Sequence, residues 1–151
     1  MTPSQIKQQQ QNLLRLSQQF TQDDLDTVMK QHPEITCNGI ESRRSNNYES
    51  NRAYLKSSLK AFQLCCAFLS LCKRSKRASW DFTNNNYLKH RVEHFMRTPI
   101  PSGAIVAAAE VIGIRYKLVS EDTCYVSLYI DKNLPITEEM EYAARGRIIR
   151  E

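Results

Sequence analysis

Residues 87–130, YLKHRVEHFMRTPIPSGAIVAAAEVIGIRYKLVSEDTCYVSLYI, decide the fold. Their first part belongs to a helix predicted over 84–97, in which Leu88, Val92, Phe95 and Met96 recur at helical spacing on one face. Pro99 and Pro101 prevent its continuation, because proline lacks the amide proton and clashes with the preceding turn. Ser102 is either the N-cap or the first residue of the next helix, Gly103–Ile112. That helix is built almost entirely of Ala, Val and Ile and reads as buried on every side. Gly113 is placed to stop it in a left-handed conformation. The β-branched and aromatic stretches 114–119 and 124–130, joined by Ser120-Glu121-Asp122-Thr123, read as an antiparallel hairpin.

Upstream, residues 4–20 have helical periodicity, with Ile6, Leu13, Leu14 and Phe20 near one face; the polar tract Gln8–Gln11 is either an exposed helical face, the favoured reading, or a frayed arm. Thr21 is a suitable N-cap for a second helix, since Asp23 and Asp24 follow where acids complement the helix dipole. Leu25, Val28 and Met29 form its apolar face, and it ends before Pro33. Residues 36–51 are Asn- and Ser-rich and read as a loop or linker. They separate an N-terminal helical hairpin, 1–35, from a helical core with a β-hairpin, 52–151, all within one globular unit. The longest predicted helix is 52–77, where Leu55, Leu59, Phe62, Cys66 and Leu69 keep helical spacing and 61–72 is almost wholly apolar. Lys73, Arg74, Lys76 and Arg77 close it, where cations complement its last carbonyls. Residues 78–86 form a loop, with Trp80 and Phe82 turned onto the core. Thr137 caps a short last helix that has Glu138 and Glu139 in its first turn and Arg145, Arg147 and Arg150 at its end. The expected fold is α+β: a mainly helical single domain of five or six helices with one C-terminal antiparallel β-hairpin.

A chain of 151 residues, 41% hydrophobic and 25% charged, has enough apolar side chain for one real core. The count of only 4 Gly and 5 Pro argues against an all-β barrel with many tight turns. The charge is unevenly placed. Residues 43–97 hold 12 Lys/Arg against 3 Asp/Glu, while acids outnumber bases on both sides of that segment. The start, Met1-Thr2-Pro3-Ser4-Gln5, lacks the basic and apolar regions of a signal peptide, and no apolar run is long enough to span a bilayer. The five cysteines, 37, 65, 66, 72 and 124, show no paired spacing, and three fall in one apolar helix. Reduced thiols and a cytoplasmic location are the expectation.

Three features carry chemistry. His90-Arg91-Val92-Glu93-His94 matches H-x-x-E-H, in which two histidines one turn apart hold a zinc ion and the glutamate acts as general base. A distant third ligand is missing, Glu110 being the nearest acid on a following helix, so the expectation is no metal and no cofactor. If a metal does bind, His90, Glu93 and His94 are the ligands, and a zinc-dependent hydrolase is the corresponding activity. Glu93 is equally placed to pair with Lys89 and Arg97. Lys73, Arg74, Lys76, Arg77, Lys89 and Arg91 form the expected binding surface for nucleic acid or an acidic partner, with Trp80 and Tyr87 as stacking candidates. The order helix, break, helix, hairpin is also that of a winged helix, with Gly103–Ile112 as recognition helix and Ser120–Thr123 in the wing. That helix has no Arg, Lys, Asn or Gln to read base edges, which weighs against the reading.

Tyr87-Leu88-Lys89-His90 with Glu93, then Ser102-Gly103-x-Ile105-x-Ala107-Ala108 and Gly113-Ile114-x-Tyr116-Lys117, resembles a short uncharacterised domain in small proteins of bacteriophages and other bacterial mobile elements. The resemblance implies a bacterial cytoplasmic setting and an accessory role, but no catalytic residue. With the size and charge, it gives the leading expectation. This is a non-enzymatic binding protein that docks through a basic surface on a host protein or ribonucleoprotein complex that handles nucleic acid. Inhibition of a host defence nuclease, as by anti-CRISPR proteins, is its further form. A DNA-binding regulator is the alternative.

Overall fold

Residues 1–120 and 122–149 are described by a computed structural model, the side chains of 146–149 excepted. The chain begins with α1 (Pro3–Ser17) and α2 (Gln22–Gln31). Each starts at a threonine capping box: Thr2 accepts from the Gln5 amide, and Thr21 from the Asp24 amide, as the sequence led us to expect at Thr21. Ile6 and Leu13 of α1 and Leu25, Val28 and Met29 of α2 enter the core.

Residues 36–51 are more ordered than their composition suggests. They hold most of a small hairpin, β1 (Ile35–Thr36) paired with β2 (Gly39–Ile40), and the first turn of α3 (Tyr48–Lys56). Ile35 and Thr36 are fully buried. The long helix expected over 52–77 is interrupted twice. Ser57 and Ser58 both turn their hydroxyls onto the Tyr54 carbonyl, a bond that competes with helix propagation, and α3 ends there. A separate helix, α4 (Leu59–Leu71), carries the apolar stretch and is buried from Ala61 to Leu69 apart from the half-buried Gln63. Cys72 is then extended, and the chain leaves as a strand-like segment rather than as helix. Ser75 donates to the Tyr129 carbonyl and the Asp131 amide to the Lys73 carbonyl, so the basic segment is zipped onto the end of the C-terminal hairpin. Lys73, Arg74, Lys76 and Arg77 therefore do not cap the helix that precedes them.

The one-turn α5 (Trp80–Thr83) leads into α6 (Asn85–Met96), capped by the Asn84 side chain. Trp80 and Phe82 are 46% and 43% exposed, which corrects the expectation that they turn inward. α7 (Ser102–Ile112) is the central element: every residue from Ser102 to Ala109 is buried, and Gly113 ends it at φ 82°. It packs against α4, α6, α2 and the first hairpin. β3 (Tyr116–Leu118) and β4 (Val126–Leu128) pair antiparallel with Tyr116 opposite Leu128. α8 (Glu138–Ile149), started by the Thr137 hydroxyl at the Met140 amide, lies on α6 and α1. Arg150 lies outside the described residues, as do Glu121 of the hairpin turn and the side chain of Arg147. The architecture is α+β and mainly helical, with two small antiparallel hairpins rather than one. No helix among the described residues is long and apolar enough to cross a membrane.

Candidate functional site

The basic residues divide into those used inside the fold and those left on its surface. Arg74 belongs to the first group. Its guanidinium donates to the Ile112 and Gly113 carbonyls, the last turn of α7, at 2.8 Å for Ile112. It thus satisfies carbonyls that a helix end leaves without partners, across a sequence separation no local pattern reveals. Arg52 does the same for α2, donating to Met29 at 2.7 Å, His32 at 3.2 Å and Ile35 at 3.0 Å. Arg91 is only 6% exposed. It donates to the Ile136 carbonyl at 2.8 Å and to the Tyr87 hydroxyl at 2.6 Å, and pairs with Glu141 at 2.8 Å. That placement removes Arg91 from the expected partner-binding surface. Tyr87 is likewise occupied, under the Arg91 guanidinium and edge-on to Phe82. Lys89 is half-buried, lies 3.6 Å from Glu93, and lines a shallow polar cleft of about 480 Å³ with Asn38, Tyr54 and Ser102.

Lys73, Lys76 and Arg77 remain exposed. No carboxylate among the described residues is within ion-pair distance of them. The segment that carries them is fixed by its backbone bonds to Tyr129 and Asp131. It runs directly into Trp80, whose ring leans on Tyr125 at 6.4 Å between centroids, and Phe82. Leu71, at the start of the strip, is exposed as well. Three free cations thus sit in one extended segment with two outward aromatic rings at its end.

A second polar site lies along the seam between α6 and α8. His90 and His94 lie with ring centroids 5.6 Å apart and planes tilted by 37°, neighbours on one helix face as residues one turn apart should be. Glu93 lies between them: its Oε2 is 3.8 Å from His90 Nδ1 and 4.0 Å from His94 Nε2. Its other oxygen accepts from the Ile100 amide at 2.8 Å. His94 Nδ1 meets Glu141 Oε1 at 2.7 Å, and Glu141 is held in turn by Arg91. Partial burial, with Lys89 close by, pushes His90 below the ordinary histidine value. Of the pairings expected for Glu93, the one with Lys89 is present, whereas Arg97 sits in the left-handed region at φ 57° and closes α6 through its backbone. Glu110 is remote from this seam: it binds the Tyr116 hydroxyl and lies 3.4 Å from His32.

Sequence reasoning missed the polar residue that joins the elements around α7. Asn85 is fully buried; it donates to the Ser102 carbonyl and accepts from the Val126 amide, both at 3.0 Å. An asparagine within a predicted N-terminal turn gives no sign of such a role. It also missed Glu141, whose partner His94 is 47 residues away. No family model matches the chain, and neither a curated protein nor a solved structure does so.

Proposed function

We propose that this is a non-enzymatic binding protein that engages a nucleic-acid-handling complex through the strip from Lys73 to Phe82, with an exposed single strand as the direct contact. The observation that carries the reading is the juxtaposition of the unpartnered cations Lys73, Lys76 and Arg77 with the outward rings of Trp80 and Phe82. Cations track phosphates and aromatic faces stack on unpaired bases, so together they suit a strand better than a duplex. The winged-helix alternative needs α7 in a major groove, and α7 is enclosed by the core. Inhibition of a host defence nuclease is the role that the resemblance to mobile-element proteins implies for such a binder.

Trp80 is the chain's single tryptophan, so its fluorescence reports on the strip alone. Titration with a single-stranded oligonucleotide should quench it, and a duplex of the same sequence should quench it less. The triple variant Lys73→Glu, Lys76→Glu, Arg77→Glu should bind more weakly, with the salt slope of log K reduced by about 2. If the partner is an acidic protein surface instead, the same variant will slow association with little effect on dissociation, and no oligonucleotide will quench Trp80. Unchanged oligonucleotide binding by the triple variant would refute the assignment of this strip.

A further inference from the structure

We infer that His90, Glu93 and His94 form a binding site for a zinc-class divalent ion, independent of the basic–aromatic strip. One donor atom from each residue lies within 4.8 Å of the other two. Donors bound to one tetrahedral zinc ion are roughly 3.3 Å apart, from bond lengths of about 2.0–2.1 Å. The 3.8 and 4.0 Å separations from Glu93 to the two imidazoles are already near that value. The remaining separation, between the two imidazoles, is no more than 4.8 Å, and the half-exposed His90 side chain is the one that must turn to close the set.

Preparation of the ligands from behind distinguishes this cluster from a chance grouping of surface residues. Metal-bound histidines donate their second ring nitrogen to a carboxylate or carbonyl, and metal-bound carboxylates are themselves hydrogen-bonded. Both arrangements are present before any ion arrives. Glu141 engages His94 at Nδ1, which leaves Nε2 directed at Glu93. The Ile100 amide holds Oε1 of Glu93, which leaves Oε2 between the two rings. Arg91 fixes Glu141 with a 2.8 Å bond, so the outer shell continues into the buried seam. Lys89 lies 3.6 Å from Oε1 of Glu93, the oxygen that is not shared between the two histidines. Three protein ligands on a solvent-facing helix leave a fourth position for water or for a donor from a partner. Glu93 lies inside the ligand set, which makes it a ligand rather than the general base of an H-x-x-E-H hydrolase.

The test is equilibrium dialysis of the untagged full-length chain against zinc, with metal content measured, followed by replacement with cobalt and visible spectroscopy. One ion per chain is expected, with the cobalt spectrum of a four-coordinate nitrogen–oxygen site and no thiolate charge-transfer band. His90→Ala should abolish binding with the circular dichroism spectrum unchanged, because the His90 side chain is itself exposed and takes no part in the core. Glu141→Gln should keep the site but weaken it by about 10- to 100-fold, the effect of losing an outer-shell carboxylate. Absence of stoichiometric zinc, unaltered binding by His90→Ala, or a thiolate band showing that cysteines hold the ion would each overturn the inference.

Discussion

Gly103 in the first turn of α7 is in direct contact with the backbone of Thr36. A Cβ built on Gly103 would stand 1.7 Å from the Thr36 carbonyl oxygen, and the Gly103 amide donates to the Cys37 carbonyl at 2.8 Å. The small N-terminal hairpin is therefore seated on the start of the central helix, and only glycine permits that approach. Gly39 of the same hairpin is similarly constrained, at φ 125° with its Cβ position 2.2 Å from the Cys124 carbonyl oxygen. At Gly113 an added Cβ would meet only the Arg74 side chain, at an ordinary 3.9 Å, so the positive φ is what glycine serves there. Alanine substitutions should therefore separate the three. Gly113→Ala should cost about 1 kcal/mol, the penalty for a Cβ in the left-handed region. Gly103→Ala and Gly39→Ala must displace backbone and should cost about 4 kcal/mol or more, or prevent folding. Urea denaturation of the three variants checks the order, and a Gly103→Ala protein as stable as Gly113→Ala would contradict the packing described.

The use of arginines as caps for distant helices leads to a second prediction. Arg52→Ala leaves the Met29 and His32 carbonyls at the end of α2 and the Ile35 carbonyl of β1 without their charged donor, and should cost about 2 kcal/mol. Arg74 is exposed and bonds two carbonyls of α7, so Arg74→Ala should cost about 1 kcal/mol. Changes at Lys73, Lys76 and Arg77 should alter stability by less than about 0.5 kcal/mol. Thermal denaturation distinguishes the neighbours directly. A loss of stability at Lys76 equal to that at Arg74 would show that the segment is held by general electrostatics rather than by the α7 carbonyls.

Legibility in the sequence followed the range of the interactions involved. Helix starts at Thr21 and Asn84, the buried α7 and the stop at Gly113 depend on residues within a few positions of one another, and periodicity locates them. The break at Ser57-Ser58 escaped because serine is tolerated in a helix until its hydroxyl takes a carbonyl. The first hairpin escaped because its polar segment finds its order in α7 and Cys124 rather than in itself. The site divides likewise. H-x-x-E-H is a local pattern, and its three side chains do converge. The charge count over 43–97 could not tell Lys73, left to solvent, from Arg52, Arg74 and Arg91, which are committed to backbone carbonyls that sequence distance hides.

Arg91 and Glu141 give a third prediction. Both side chains are largely buried, and Arg91 also holds the Ile136 carbonyl ahead of α8. Removing one member of such a pair leaves the other uncompensated in a poorly solvated seam. Arg91→Ala should cost about 3 kcal/mol and loosen α8 from α6. Hydrogen exchange should show the loss first in residues 138–145. Arg91→Lys keeps the charge but not the fork of donors, and should recover only part of the stability. Full recovery would mean that charge alone, not the guanidinium geometry, holds the seam.

The cysteines provide a prediction with a defined pH dependence. Burial pushes the Cys65 and Cys66 thiols well above their ordinary value and Cys72 up to about 12. Cys37 and Cys124 are raised as well, chiefly by burial, but both are partly accessible. Alkylation of the native protein should therefore modify Cys37 and Cys124 first. Cys65 and Cys66 should react only as the fold opens, Cys72 should lag behind Cys37 and Cys124 because its thiol is held up to about 12, and all five should be free in denaturant. Burial also raises the Tyr116 hydroxyl, with further help from its bond to Glu110. These groups stay protonated in the folded chain while their unfolded counterparts ionise. The stability they contribute is complete below the unfolded thiol value near 9.0 and is lost progressively as pH rises toward the folded values. Urea midpoints should hold steady up to about pH 8 and fall steeply by about pH 11. Replacing Cys65, Cys66 and Cys72 with Ala or Val should flatten that fall, even where the neutral-pH stability drops. A slope that survives the triple replacement would assign the alkaline loss to Tyr116 instead.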